Sequence, residues 1–184
     1  HEVYFVELLP RHALSPAGAS LFDSANAAYF RQVVSEFGLV RNSTLMLADT
    51  HESVGLTYAE LQMLTRRTTV LLNVSGGFVD EALTENISIR IYLDLDPGFT
   101  QLWHLQQIDM HFAGSTHFAT VGLAMGEDSC DVPACGMSWI PTRQPVVLEC
   151  WPPSNGITHD ALTSVANWRG YGSIEHDGVF YGQK

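Results

Sequence analysis

Asp94 and Asp96 stand two residues apart at the end of an apolar run over residues 89–95, directly ahead of Pro97-Gly98. Side chains two apart on a strand share a face. Two carboxylates so placed could hold a hard cation through oxygen ligands, or divide acid and base roles. Turn chemistry offers another reading, in which the aspartate before Pro-Gly bonds to the backbone that follows and closes a turn. In an open α/β sheet, ligands bind beyond the carboxyl ends of the strands, so the motif sits where a cleft is expected. His104, His111 and His117 follow within one crossover. His111 or His117 could take a proton from a substrate hydroxyl, and a packed or solvated imidazole is the alternative for each. Asp94, Asp96, His111 and His117 are therefore the candidate catalytic residues.

The candidate substrate-binding residues are Gly76, Gly77, Thr100, Arg143, Trp168 and Arg169. Gly76-Gly77 follows a strand-like run, and amides in such a loop can cradle a phosphate or a sugar hydroxyl. Arg143 and Arg169 could bind an anion or pair with surface acids, and Trp168 offers an aromatic face to a sugar or a base. The glycines form no G-x-G-x-x-G fingerprint, so no dinucleotide cofactor is expected. Cys130 and Cys135 lack the second pair of a zinc site, and the histidine spacing fits none. Neither a metal nor another cofactor is expected.

These residues need a scaffold, and the patterning supplies one. Strand-like runs at 3–8, 44–48, 69–74, 88–95, 118–124 and 145–150 alternate with helical patterns at 26–37, 57–67, 79–85 and 99–107. Thr57-Tyr58-Ala59-Glu60 has the form of a capping box. Short continuous apolar strands alternating with helices predict a mostly parallel, Rossmann-like α/β sheet with helices on both faces. That domain spans residues 1–150. Residues 151–184 form a turn-rich extension with short strands at 165–169, 173–176 and 179–181, the last two joined by Asp177-Gly178, a hairpin turn signal. The opening at His1 in a strand, and the close without a helix or polar tail, lead to the expectation of a domain truncated at both ends.

Composition narrows the partners. The 184 residues carry a net charge of −11, with 46% hydrophobic and 16% charged residues. That balance fits a globular domain and disfavours nucleic-acid backbones and anionic membranes as partners. No apolar run reaches the roughly 18 residues of a membrane span. Three cysteines are too few and too odd in number for a disulfide framework, so a reducing, cytoplasmic setting is expected.

Two families use words close to Leu93-Asp94-Leu95-Asp96-Pro97-Gly98-Phe99-Thr100-Gln101. Nucleoside hydrolases carry D-x-D-P-G-x-D-D for calcium, but Thr100 and Gln101 replace the last two acids. Haloacid-dehalogenase-like phosphatases carry D-x-D-x-T, but Gly98 breaks the match. A broader likeness combines residues 1–7, this motif, Thr120 to Val147 with Cys130, Cys135, Trp139 and Arg143, Asn167-Trp168-Arg169-Gly170-Tyr171-Gly172, and the closing Tyr181-Gly182-Gln183-Lys184. In that order the chain resembles the N-terminal half of bacterial glycosyltransferase-like proteins with two Rossmann-like domains (GT-B). The resemblance implies an acceptor-holding half, with a nucleotide-sugar donor held mainly by a second domain and no bound metal in catalysis. It also implies a first βα unit ahead of His1, making the run at 3–8 the second strand of the parent fold. A metal-dependent hydrolase on Asp94 and Asp96, and a non-catalytic sugar- or nucleotide-binding module, are the alternatives.

Overall fold

The computed structural model describes residues 2–153, Gly156, Ala161 and residues 172–181. The chain is α/β. Strands β1 (Phe5–Leu9) and β2 (Ser43–Leu47) pair in parallel, and β3 (Ser53–Gly55) adds an antiparallel edge. A second sheet is all-parallel, with β4 (Val70–Val74), β5 (Ile89–Asp94), β6 (His117–Thr120) and β7 (Trp139–Pro141) in sequence order. The hairpin β8 (Ile174–His176) and β9 (Val179–Tyr181) turns at Asp177-Gly178, both with positive φ as that turn requires. Gln106 Nε2 ties it to the Glu175 carbonyl at 3.4 Å, below the end of α4.

Four helices connect the strands. In α1 (Ala25–Glu36), Ser24 Oγ accepts from Ala27 N. In α2 (Tyr58–Thr65) the expected capping box is formed. Glu60 Oε2 accepts from Thr57 N at 2.7 Å, and Thr57 Oγ1 accepts from Glu60 N at 3.3 Å. Asp80 caps α3 (Glu81–Thr84), and Gly98 opens α4 (Phe99–Leu105). Among the described residues no helix is long and apolar enough to cross a membrane.

Alternate residues of the first sheet feed separate clusters. Leu9, Leu45 and Leu47 pack with Phe30 and Val34 of α1, while Met46 packs with Leu61 of α2 and Leu83 of α3, joined by Val6 and Leu8. In the second sheet Tyr92 and Trp139 build an aromatic core with Phe112 and Phe118. The Tyr92 and Phe112 rings meet edge-on at 4.8 Å, a favoured geometry. The other face of that sheet is different. Leu72 and Ile140, each 53% exposed, belong to none of these clusters.

Residues 145–150 were expected to be a strand and are not. They run as exposed coil into a 3₁₀ turn at Leu148–Cys150, because no sheet edge among the described residues receives them and apolar character alone does not make a ladder. Strands β3 and β7 carry no periodic signal, being three residues long. The expected strand at 165–169 lies outside the described residues.

Candidate functional site

The acidic motif ends β5 as expected, but Asp94 lies inside the protein. It is fully buried. Its Oδ1 accepts from Asp96 N at 2.9 Å and Thr100 Oγ1 at 2.8 Å. Its Oδ2 accepts from Gln101 Nε2 at 2.9 Å and Thr120 Oγ1 at 2.9 Å. Helix α4 begins five residues beyond Asp94, so its first turn swings Thr100 and Gln101 back over the strand end. Gln101 is itself locked, because its Oε1 accepts from Gly98 N at 2.7 Å. Thr120 is the register partner of Asp94 on β6, and its hydroxyl accepts from Gly122 N at 3.1 Å. Gly122 admits no side chain, since a Cβ there would lie 2.7 Å from Pro97 Cβ. No cationic side chain pairs with Asp94 among the described residues. Four neutral donors hold the carboxylate, which thereby welds β5, α4 and β6 together. Asp96 is part-buried two residues beyond, and its carbonyl accepts from Thr100 N at 3.1 Å. The side chain that closes the turn is therefore Asp94, through Asp96 N, rather than the aspartate directly before Pro97-Gly98, and Asp96 lies nearer the surface.

Gly76 and His111 are brought together. Gly76 has φ +70°, and a Cβ there would lie 2.7 Å from the Met110 carbonyl oxygen, 3.0 Å from His111 Cβ and 3.1 Å from Tyr92 Cε2. His111 is half-exposed, and its Nδ1 lies 3.5 Å from Asp109 Oδ2. Below them the Tyr92 hydroxyl is buried without a hydrogen-bond partner among the described residues. Burial, helped by the charges of Asp94 and Asp96, pushes this phenol up to about 12. Gly77 completes the loop, donating its N–H to the Val74 carbonyl.

The remaining candidates are scattered. His117 opens β6 at the end opposite Asp94, and its Nδ1 lies 2.9 Å from Thr116 Oγ1. Arg143 is exposed just beyond β7 and makes no ion pair among the described residues. Trp168 and Arg169 lie outside the described residues. Among the described residues no group of three or more His, Cys, Asp or Glu side chains could hold a metal ion. Cys130, Cys135 and Cys150 are free thiols, and burial raises the pKa of Cys135.

Sequence reasoning missed a third constellation. His51 follows β2, Tyr58 opens α2 and Asp80 precedes α3. The His51 and Tyr58 rings stack at 3.8 Å and 5°. His51 Nε2 lies 3.3 Å from Asp80 Oδ2, and Tyr58 donates to Asp80 Oδ1 at 3.3 Å. Burial first, then the Asp80 charge, raises the Tyr58 pKa. The His51 side chain is 40% exposed and that of Asp80 11%, so a half-open imidazole is oriented by a sheltered carboxylate. That is the geometry of a general base with its positioning partner. No sequence spacing signals it, because the three residues come from separate connections.

No family model, curated protein or solved structure matches this chain.

Proposed function

We propose that this chain is the acceptor-side half of a glycosyltransferase with two Rossmann-like halves. It would hold a hydroxyl-bearing acceptor while a second half presents the nucleotide sugar. One observation carries the reading. The four parallel strands β4–β7 end on one side, and that side bears the Gly76-Gly77 loop, the Asp96-Pro97-Gly98 turn and Arg143. Ligands of open α/β sheets sit at such carboxyl ends. The net charge of −11 suits a neutral sugar acceptor better than a polyanion.

In the reaction the acceptor oxygen bonds to the anomeric carbon. The bond from that carbon to the nucleoside diphosphate breaks, and the diphosphate leaves with the electron pair. The acceptor proton passes to a base. His51 suits this role best, because Nε2–H directed at Asp80 leaves Nδ1 as the acceptor. His111 is the second choice and His117 the least suited, since it opens β6 at the opposite end. The hydrolase reading gains nothing from Asp94, whose two oxygens already accept four hydrogen bonds.

The test is an amide NMR titration of the 184-residue chain with methyl glucosides and, separately, with UDP-glucose. The reading expects glycoside-dependent shifts at His51, Gly76, Gly77, Asp96 and Gly98, and no transfer by this chain alone. Shifts confined to other regions, or turnover of UDP-glucose by these 184 residues, would overturn it. Saturable binding that persists with no transfer when a donor-binding half is present would favour a non-catalytic binding module. In a complete enzyme, His51→Asn should lower kcat by about 10²- to 10⁴-fold with KM for the acceptor little changed.

A further inference from the structure

A cavity of about 1070 Å³ is a groove between two strand edges, β1 on one side and β4 on the other. Among the described residues β1 pairs with β2 and β4 with β5, so the facing edges have no ladder partner. The strands run the same way along the groove. At the entry end Arg67 Nη2, ahead of β4, reaches Tyr4 OH, ahead of β1, at 3.5 Å. At the exit end Leu8 and Phe78 share one cluster.

The hydrogen-bond phase of each edge can be read. In a parallel ladder alternate residues turn both N–H and C=O to the same neighbour. Phe5 N donates to the Asn42 carbonyl and the Leu9 carbonyl accepts from Ala48 N, so Phe5, Glu7 and Leu9 face β2. Val6 and Leu8 therefore turn their N–H and C=O into the groove. Ser75 N donates to the Leu93 carbonyl, so Asn73 and Leu71 face β5, and Leu72 and Val70 face the groove.

We infer that this groove is the seat of one further β-strand, apolar on both faces and parallel to both β1 and β4, carried ahead of β1 on the same polypeptide. Only an extended backbone satisfies two facing parallel edges at once, and an apolar side-chain ligand would leave their amides unpaired. The topology selects the source. From the groove the chain moves outward through β1 to β2 on one side and through β4, β5, β6 and β7 on the other. The inserted strand is the point at which strand order reverses, and its natural connection is a right-handed crossover into neighbouring β1. Two successive crossovers moving the same way put their helices on the same face, here the face covered by α1 through Phe30 and Leu45. On that face Val70, Leu72 and Val74 lie bare at 46%, 53% and 46% exposure. A helix following the inserted strand would cover them. The occupant is then a strand–helix unit. The loop joining its two parts would enter the same end of the sheet as Gly76-Gly77, making that loop one wall of a switch-point crevice. The inference rests on the two edges and is independent of the glycosyl-transfer reading.

The test fuses a probe strand of five alternating valines and isoleucines, flanked by lysines, to His1. A glycine–serine linker of about twenty residues exceeds the dozen a parallel crossover needs. Amide hydrogen exchange is read at Val6, Leu8, Val70 and Leu72. The unfused chain should exchange rapidly at all four, and the fusion should slow all four by about 100-fold while raising Tm. The same strand with a central proline, or attached after Lys184 through an equal linker, should slow them far less. Unchanged exchange in the fusion, or protection of one edge only, would overturn the inference. So would protection already present in the unfused monomer, which would mean that another part of this chain fills the groove. Protection that appears only with dimerisation in the ultracentrifuge would assign the groove to a second copy instead.

Discussion

Replacing Asp94 by Asn keeps shape and removes one acceptor oxygen together with the charge. The retained oxygen can still accept from Asp96 N and Thr100 Oγ1. The new amide group then faces Gln101 Nε2 and Thr120 Oγ1. Thr120 can rotate its hydroxyl, but Gln101 cannot flip, because its oxygen holds Gly98 N at the start of α4. One donor is left buried against another donor, at about 1–3 kcal/mol, and loss of charge assistance to the remaining bonds adds about 1 kcal/mol. The sum is about 2–4 kcal/mol. For a chain of this length, each kcal/mol moves Tm by about 2–4 °C. Asp94→Asn should therefore melt roughly 5–15 °C lower, and Asp94→Ala lower still, since it leaves all four donors without the carboxylate. Urea unfolding followed by far-UV circular dichroism measures the loss, with the m-value checking that the transition stays two-state. A loss under about 0.5 kcal/mol for Asp94→Asn would refute the buried-knot account and return Asp94 to a surface role.

Two further outcomes follow from the neighbouring geometry. Tyr92 ionises only at about 12 in the fold, against 10 when unfolded. Stability is therefore unaffected by this ionisation below pH 10 and falls as pH rises from 10 towards 12. Tyr92→Phe should flatten that alkaline decline, and below pH 10 it should leave stability unchanged or slightly improved, because the hydroxyl it removes is unpaired; a clear loss of stability at neutral pH would show a hidden partner. Gly76→Ala forces a side chain onto the Met110 carbonyl at positive φ and should cost more than about 1 kcal/mol, with altered His111 imidazole shifts by NMR; wild-type stability and shifts would mean that the loop is not packed this way.

Much of the framework was readable because its signals are local. The Thr57–Glu60 capping box, Gly38 after α1 and the Asp177-Gly178 turn each act within a few residues. The strands beginning near Phe5, Ser43, Val70 and Ile89 announced themselves as apolar runs. Failures occurred where pairing rather than composition decides. Val146 and Val147 have strand-like side chains but no ladder, whereas Trp139–Pro141 pairs because β6 offers it an edge. The site was less legible. Asp94 was correctly placed at a strand end, but its burial depends on Thr120, twenty-six residues away. The His51–Tyr58–Asp80 group draws on three connections that only folding brings together.

By itself the sequence determined the α/β alternation, the positions of most strands and caps, and the turn that follows Asp94 and Asp96, because hydrophobic period and capping are near-neighbour effects. Tertiary structure alone decided that Asp94 is a saturated internal knot, that Gly76 lies under His111, and that β1 and β4 face each other across a groove with no ladder partner among the described residues. Each of these depends on hydrogen-bond partners or neighbours far away along the chain, and periodicity in one dimension carries no information about them.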